Sequence, residues 1–149
     1  MLGVDVGTTA VKVGAFDALG RELAGATAGY RLYEPKPGFA EQDPDELVDA
    51  TLATISEAVA CAHARGARIA GVCCSAAMHG LAALDARGRP LCRLVTWADT
   101  RASTEAERLA AEHPELHERT GSPLHAMSPL AKLVWFRGHD RSVYDAARR

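Results

Sequence analysis

Two short apolar runs open the chain, residues 2–6 and 10–16, and the polar, glycine-opened step Gly7-Thr8-Thr9 between them predicts a β-hairpin. Asp17-Ala18-Leu19-Gly20 makes a second turn, and residues 21–33 read as a third strand thinned by Gly25 and Gly29. Glu34-Pro35-Lys36-Pro37-Gly38 is then a loop, because two prolines remove backbone donors. Asp43-Pro44-Asp45-Glu46 signals a helix start, with Asp43 as cap, Pro44 at the first helical position and Glu46 three residues after the cap. That helix should reach Arg65 and stop at Gly66. Leu47, Val48, Leu52, Ile55, Val59 and Ala62 recur at helical intervals and are expected to form its buried stripe. Residues 69–75 are continuously apolar, which predicts a central strand covered on both faces. Residues 81–84 and 91–96 flank the turn Asp85-Ala86-Arg87-Gly88-Arg89-Pro90 as a second hairpin. Helical patterns follow near 101–112, 114–119 and 130–137, with a break over 120–129. Val143 to Arg149 begins another helix that stops without a cap, so the chain is expected to be cut mid-element.

Composition narrows the classes. With 149 residues and 48% hydrophobic content the chain is large enough for one globular domain, one that buries roughly 70% of its unfolded surface. Acidic and basic residues nearly cancel, 19 against 17, which argues against nucleic acid or an anionic membrane as partner. The acids gather early: residues 1–60 hold 10 acids and 4 bases, much of the excess on the solvent face of the long helix. No run approaches the roughly 18 apolar residues of a membrane span and no basic leader opens the chain, so a cytoplasmic protein is expected. Cys61, Cys73, Cys74 and Cys92 lack C-x-x-C spacing and read as buried, reduced thiols, with Cys73 and Cys74 on opposite faces of their strand. His63 and His139 have no metal-binding partner in spacing, and His113 and His117, four apart, are separated by Pro114, which argues for a helix break, so metal binding by these four is not expected.

Four segments carry candidate chemistry. In Asp5-Val6-Gly7-Thr8-Thr9, followed by Lys12, a strand-end carboxylate can hold Mg²⁺ through water while Gly7, Thr8 and Thr9 let N–H groups and hydroxyls approach phosphate oxygens, with Lys12 as a nearby charge. Spacing excludes the Walker and Rossmann patterns, and an ordinary hairpin turn explains the segment equally well. Ser75-Ala76-Ala77-Met78-His79-Gly80 ends a strand and presents a histidine, which could serve a polyol or acid ligand, although a structural histidine is the commoner case. Trp97-Ala98-Asp99-Thr100-Arg101 combines an aromatic wall, an acceptor and a donor, as a sugar requires, and equally suits a helix N-terminus. Thr120 to Leu130 is a polar stretch that either lines a pocket or links two helices.

In this order the segments resemble the N-terminal part of the FGGY carbohydrate kinases, across essentially all of residues 1–149. Asp5-Val6-Gly7-Thr8-Thr9 is similar to that family's first phosphate motif, and Pro37-Gly38-Phe39-Ala40-Glu41-Gln42-Asp43-Pro44 resembles the stretch leading into its first long helix. Met78-His79-Gly80 is similar to a substrate-contacting Met-His of xylulokinases. Ser75-Ala76-Ala77-Met78-His79, Trp97-Ala98-Asp99-Thr100-Arg101 and the stretch from Arg119 to Leu133 look most like the gluconokinase branch.

The resemblance implies a ribonuclease H-like (actin-like ATPase) α/β lobe with a mixed five-stranded sheet and flanking helices, and a transfer of the ATP γ-phosphoryl to a sugar hydroxyl with Mg²⁺. It places Asp5 on Mg²⁺ through water, and Gly7, Thr8, Thr9 and Lys12 by the phosphates. Met78, His79, Gly80, Trp97, Asp99 and Arg101 would line the sugar pocket with Met127 and Ser128 on its rim, His79 or Arg101 pairing with a sugar-acid carboxylate. The catalytic base belongs, by the same resemblance, to a C-terminal kinase domain outside these residues, so the isolated chain is expected to be inactive and to be sticky or dimeric. A stand-alone module that binds a sugar acid or phosphate without turnover is the competing expectation.

Overall fold

Alternation along the first two strands decides which face of the sheet is buried. In the computed structural model, which describes residues 1–148, β1 (Leu2–Val6) and β2 (Ala10–Phe16) turn Leu2, Val4, Val11, Val13 and Ala15 to one side, where all five are buried. Gly3, Asp5, Lys12 and Gly14 necessarily point to the other. The two strands pair antiparallel as predicted, and β3 (Glu22–Gly29) continues the meander with a register irregularity at Ala15/Phe16. β5 (Val72–Ala76) joins the far side of β1 in parallel, giving a mixed sheet of order β3-β2-β1-β5. The described residues supply four strands to this sheet where five were expected.

The long helix α1 (Pro44–Ala64) has the predicted bounds, and Gly66 follows it with a φ of 75° that favours glycine. Its buried face differs from the expected stripe. Thr54, Ala58 and Ala62 are the buried residues, whereas Val48 and Leu52 are 50% and 57% exposed. Ala58 and Ala62 join the cluster of Leu2, Val4, Val11 and Val13, with Ile55 and Val59 flanking it. Thr54, Ala58 and Ala62, small residues at four-residue spacing, make the buried ridge, and Ile55 and Val59 pack beside it while Val48 and Leu52 stay exposed. β5 needs a larger correction. All five of its residues are exposed, because it is the edge of the sheet and not its centre. Cys73 and Cys74 are therefore exposed free thiols, as is Cys61, with Cys92 half-buried.

The chain divides into two units, Met1–Leu32 with Asp45–Ala77, and Tyr33–Pro44 with Met78–Arg149. In the second, β4 (Glu41–Gln42) pairs antiparallel with β6 (Leu94–Val95), and bridges Leu81↔Val95 and Leu84↔Pro90 realise the second predicted hairpin around Asp85. Asp85 Oδ1 accepts from the N–H groups of Arg87 and Arg89, which closes that turn. Four helices follow: α2 (Ser103–Glu112), α3 (Glu115–Thr120), α4 (Pro129–His139) and α5 (Arg141–Ala146). Ala102, Ala106, Leu109 and Ala131 form their core. The last helix starts two residues before the predicted Val143 and ends at Ala146, with Ala147 extended; Arg149 lies outside the described residues.

Candidate functional site

In the first unit the pleat that buries Val4 and Val13 lifts Asp5 and Lys12 onto the open face. Register makes them direct cross-strand neighbours, and the same row continues to Ser75 on β5 and Thr27 on β3. Asp5 and Lys12 are both exposed. With Gly3, Gly14, Thr27 and Ser75 they line a depression of about 880 Å³. A Cβ at Gly14 would lie 2.7 Å from the Phe16 ring, which would have to move to admit it.

The Gly7-Thr8-Thr9 turn is held by its own backbone and by a residue without a role in the sequence reading. Gly7 N–H donates to the Ala10 carbonyl at 3.1 Å, Tyr30 N–H donates to the Thr9 carbonyl at 3.2 Å, and the Tyr30 hydroxyl donates to the Gly7 carbonyl. Burial, then the neighbouring negative charge of Asp5, push the Tyr30 pKa up, which keeps the hydroxyl protonated as a donor. A carbonyl turned toward Tyr30 is a carbonyl turned away from any anion at the turn.

In the second unit the expected sugar-side residues separate into exposed and buried sets. Met78, His79, Gly80 and Trp97 are exposed, and Met127 and Ser128 are half-buried beside the start of α4. Ser128 Oγ accepts from His125 N–H at 3.0 Å, and Met127 N–H donates to His125 Nδ1 at 3.3 Å, so the 120–130 stretch is ordered by internal bonds.

Asp99 and Arg101 are the buried set. Asp99 is 1% exposed and accepts from Ala40 N–H at 2.7 Å, from Arg101 N–H at 3.0 Å, and from Arg101 Nε and Nη2 at 2.9 and 2.8 Å. Arg101 Nη2 also donates to Glu41 Oε1 at 2.6 Å, and the guanidinium carbon lies 3.8 Å from the Phe39 ring centroid and 5.0 Å from that of Trp135. Burial alone would lower the Arg101 pKa, but the bonds to Asp99 and Glu41 outweigh it and raise it. The Arg101 side chain is 4% exposed, with Nε and Nη2 bonded to Asp99 and Glu41.

This network accounts for the Pro37-to-Pro44 sequence pattern. Thr96 donates twice to the Ala40 carbonyl, through N–H at 3.0 Å and Oγ1 at 2.9 Å, and Thr100 N–H donates to the Gly38 carbonyl at 2.8 Å. Gly38 has a φ of 82°, and a Cβ on it would lie 3.0 Å from Thr100 Oγ1, so glycine is needed twice over. Trp97 thus follows directly on the anchored Thr96.

Lys132 is a further residue that the sequence reading left without a role. Its side chain is wholly buried, and Nζ donates to the carbonyls of His79 at 2.6 Å and Thr96 at 2.8 Å. Burial lowers its pKa from 10.5 to about 8, with Asp99 opposing the shift and Arg101 adding to it. The signal that could have found it is a lone lysine inside the apolar stretch Ala131-Lys132-Leu133-Val134-Trp135-Phe136, one turn into a helix where the dipole disfavours a cation.

Comparison with known proteins fits this geometry. Residues 1–149 match the family model described as "FGGY family of carbohydrate kinases, N-terminal domain". A gluconokinase from Bacillus subtilis (strain 168) is 34% identical over 151 aligned residues that take in 100% of this chain and 29% of that protein. The crystal structure of gluconate kinase from Lactobacillus acidophilus superposes with a TM-score of 0.89 at 31% identity, covering 99% of this chain and 30% of that one. Xylulose kinase from Rhodospirillum rubrum gives a TM-score of 0.93 at 29% identity, covering 98% and 30% respectively. The chain thus spans under a third of the length of the relatives it matches.

Proposed function

Because the chain belongs to the FGGY family of carbohydrate kinases as its N-terminal domain, we propose that it is the phosphate- and sugar-positioning lobe of an ATP-dependent kinase that phosphorylates a hydroxyl of gluconate. The observation that carries the phosphoryl-transfer reading is the Asp5–Lys12 cross-strand pair on the open sheet face, next to a turn whose Gly7 carbonyl is drawn off by Tyr30. An opposed carboxylate and ammonium suit a metal-bound polyphosphate, where one charge addresses the cation and the other the phosphate oxygens.

Asp5 fits magnesium in the outer-sphere role. One exposed carboxylate bordering an open depression leaves room for a cation that keeps most of its waters. Bound there, magnesium supplies charge neutralisation. Thr8 and Thr9 offer hydroxyls and N–H groups to phosphate oxygens, and Lys12 a mobile charge. On the sugar side the exposed Met78, His79 and Trp97 supply an apolar wall and one hydrogen-bonding ring, with Gly80, Met127 and Ser128 at the margin. Asp99 and Arg101 act beneath them as a frame. His79 takes the carboxylate-pairing role that Arg101 is too committed to fill. We assign no general base within residues 1–149, so proton removal from the attacking hydroxyl belongs to a carboxylate outside them.

The gluconate assignment is supported by the 34% identity with a gluconokinase. A xylulose substrate is the second reading, favoured by the TM-score of 0.93 to a xylulose kinase. The deciding experiment is an ADP-release assay over gluconate, xylulose and glycerol, run on the reading frame extended past codon 149 with the 149-residue chain beside it. Gluconate turnover at least tenfold above xylulose supports the assignment, and the reverse order replaces it.

A further inference from the structure

His79 is the one non-glycine residue with a positive φ, 63°, among the described residues. Such a backbone persists only where the surroundings over-determine it, and histidine tolerates it better than most side chains without being at ease there. The direction of a carbonyl is fixed by the ψ of its own residue, so whatever grips the His79 oxygen selects the His79 backbone. Lys132 Nζ grips it at 2.6 Å, from 53 residues away in sequence. The same ammonium holds the Thr96 carbonyl at 2.8 Å, immediately before Trp97.

We propose that Lys132 is a positioning residue: its buried ammonium clamps the His79 and Thr96 carbonyls to one point, holding His79 in the left-handed conformation and fixing the start of the Trp97 segment. Its consequence for substrate rests on the reading that His79 and Trp97 meet the sugar. A residue needed only to fill space would not have to be a lysine, since methionine has similar length and no desolvation cost. What lysine adds is a pair of charge-assisted donors aimed at two carbonyls. Asp99 and Arg101 are the charged groups that act on it, and they hold each other in a bidentate pair, so the clamp is seated beside an already rigid frame.

The test is nuclear magnetic resonance on the 149-residue chain, with the one-bond Cα–Hα coupling of His79 reporting the sign of φ. In Lys132→Met, with helicity retained by circular dichroism, that coupling should move toward the negative-φ value and the Trp97 amide should shift. A folded Lys132→Met with an unchanged His79 coupling overturns the proposal. If the variant does not fold, a pH titration of the wild-type chain decides. The carbonyl carbons of His79 and Thr96 should titrate together with Lys132 Cε, at a midpoint near 8, and independent or flat curves overturn the clamp. Gluconate titration separates the two claims. Where His79 answers to Lys132 but to none of gluconate, xylulose or glycerol, the sugar reading falls and the clamp stands. Where it answers to both, Lys132→Met should weaken the sugar by about tenfold or more.

Discussion

Arg101 closes on Asp99 with two side-chain donors, Nε at 2.9 Å and Nη2 at 2.8 Å, while Nη2 reaches Glu41 at 2.6 Å. One guanidinium therefore ties the loop after β6 to strand β4, its central carbon lying over the Phe39 and Trp135 rings. Removing one partner strands the other charge in a buried setting. Asp99→Ala should cost about 3 kcal/mol of unfolding free energy in urea titrations, and Arg101→Lys should also destabilise because lysine keeps the charge but loses the fork and the stacking. Near-wild-type midpoints in both variants would remove the network from the frame of the site.

Asp5 and Lys12 should behave in the opposite manner. Both are exposed and packed against little, so Asp5→Asn and Lys12→Met should change stability by no more than about 0.5 kcal/mol. Loss of a charged hydrogen bond to phosphate is worth about 1.5–3 kcal/mol, so Mg·ATP affinity by calorimetry should fall roughly ten- to hundredfold in each. Equal nucleotide affinity in wild type and variants would sink the phosphate role of this pair.

Tyr30→Phe isolates the brace under the phosphate turn. The ring stays and only the hydroxyl that donates to the Gly7 carbonyl goes, so stability should drop by about 1 kcal/mol. Amide exchange should quicken at Gly7, whose N–H donates to the Ala10 carbonyl. Unaltered exchange at residues 7–10 would show that the turn is held by its backbone alone.

Cysteine chemistry reads out the exposed β5 edge. Cys61, Cys73 and Cys74 should react with Ellman's reagent within the fast phase, since they are exposed, and Cys92 should lag because burial raises its pKa. Slow reaction at Cys73 and Cys74 would mean that β5 is covered in solution, by a second copy of the chain for instance, and mass measurement by ultracentrifugation would show it.

These sites explain what sequence patterns could carry. The hairpin, the Asp43-Pro44 helix start and the Gly66 stop are local signals within a few residues, and the structure has them. Of the expected α1 stripe, Ile55, Val59 and Ala62 meet the core, whereas hydrophobicity also favours Val48 and Leu52, which stay exposed while Thr54 and Ala58 pack against the sheet. The apolar content of residues 69–75 says that a strand wants covering, but whether anything covers it depends on its place in the sheet. Asp99 and Arg101 are visible as chemistry, but their pairing with Glu41, 60 residues from Arg101, has no local trace. Tyr30 and Lys132 act on carbonyls 23 and 53 residues away, which no spacing rule reports.

Lys132 also makes a signed prediction about pH. Its pKa falls from 10.5 to about 8 in the fold, so below pH 8 both states carry the proton and the native state bears the cost of a buried ammonium. Between about 8 and 10.5 the unfolded chain holds a proton that the native chain has released, and stability rises with pH through that window. The full excursion is about 3 kcal/mol. Tyr30 works the other way, because a raised tyrosine pKa loses stability as pH climbs above 10. Both effects are present in wild type, but only the tyrosine remains in Lys132→Met, so the difference between the two proteins isolates the lysine. Urea titrations at pH 7 and pH 10 should show the wild-type chain gaining on Lys132→Met by a few kcal/mol at the higher pH. A constant difference would mean that the ammonium is solvated and that its grip on His79 and Thr96 is not the buried clamp described above.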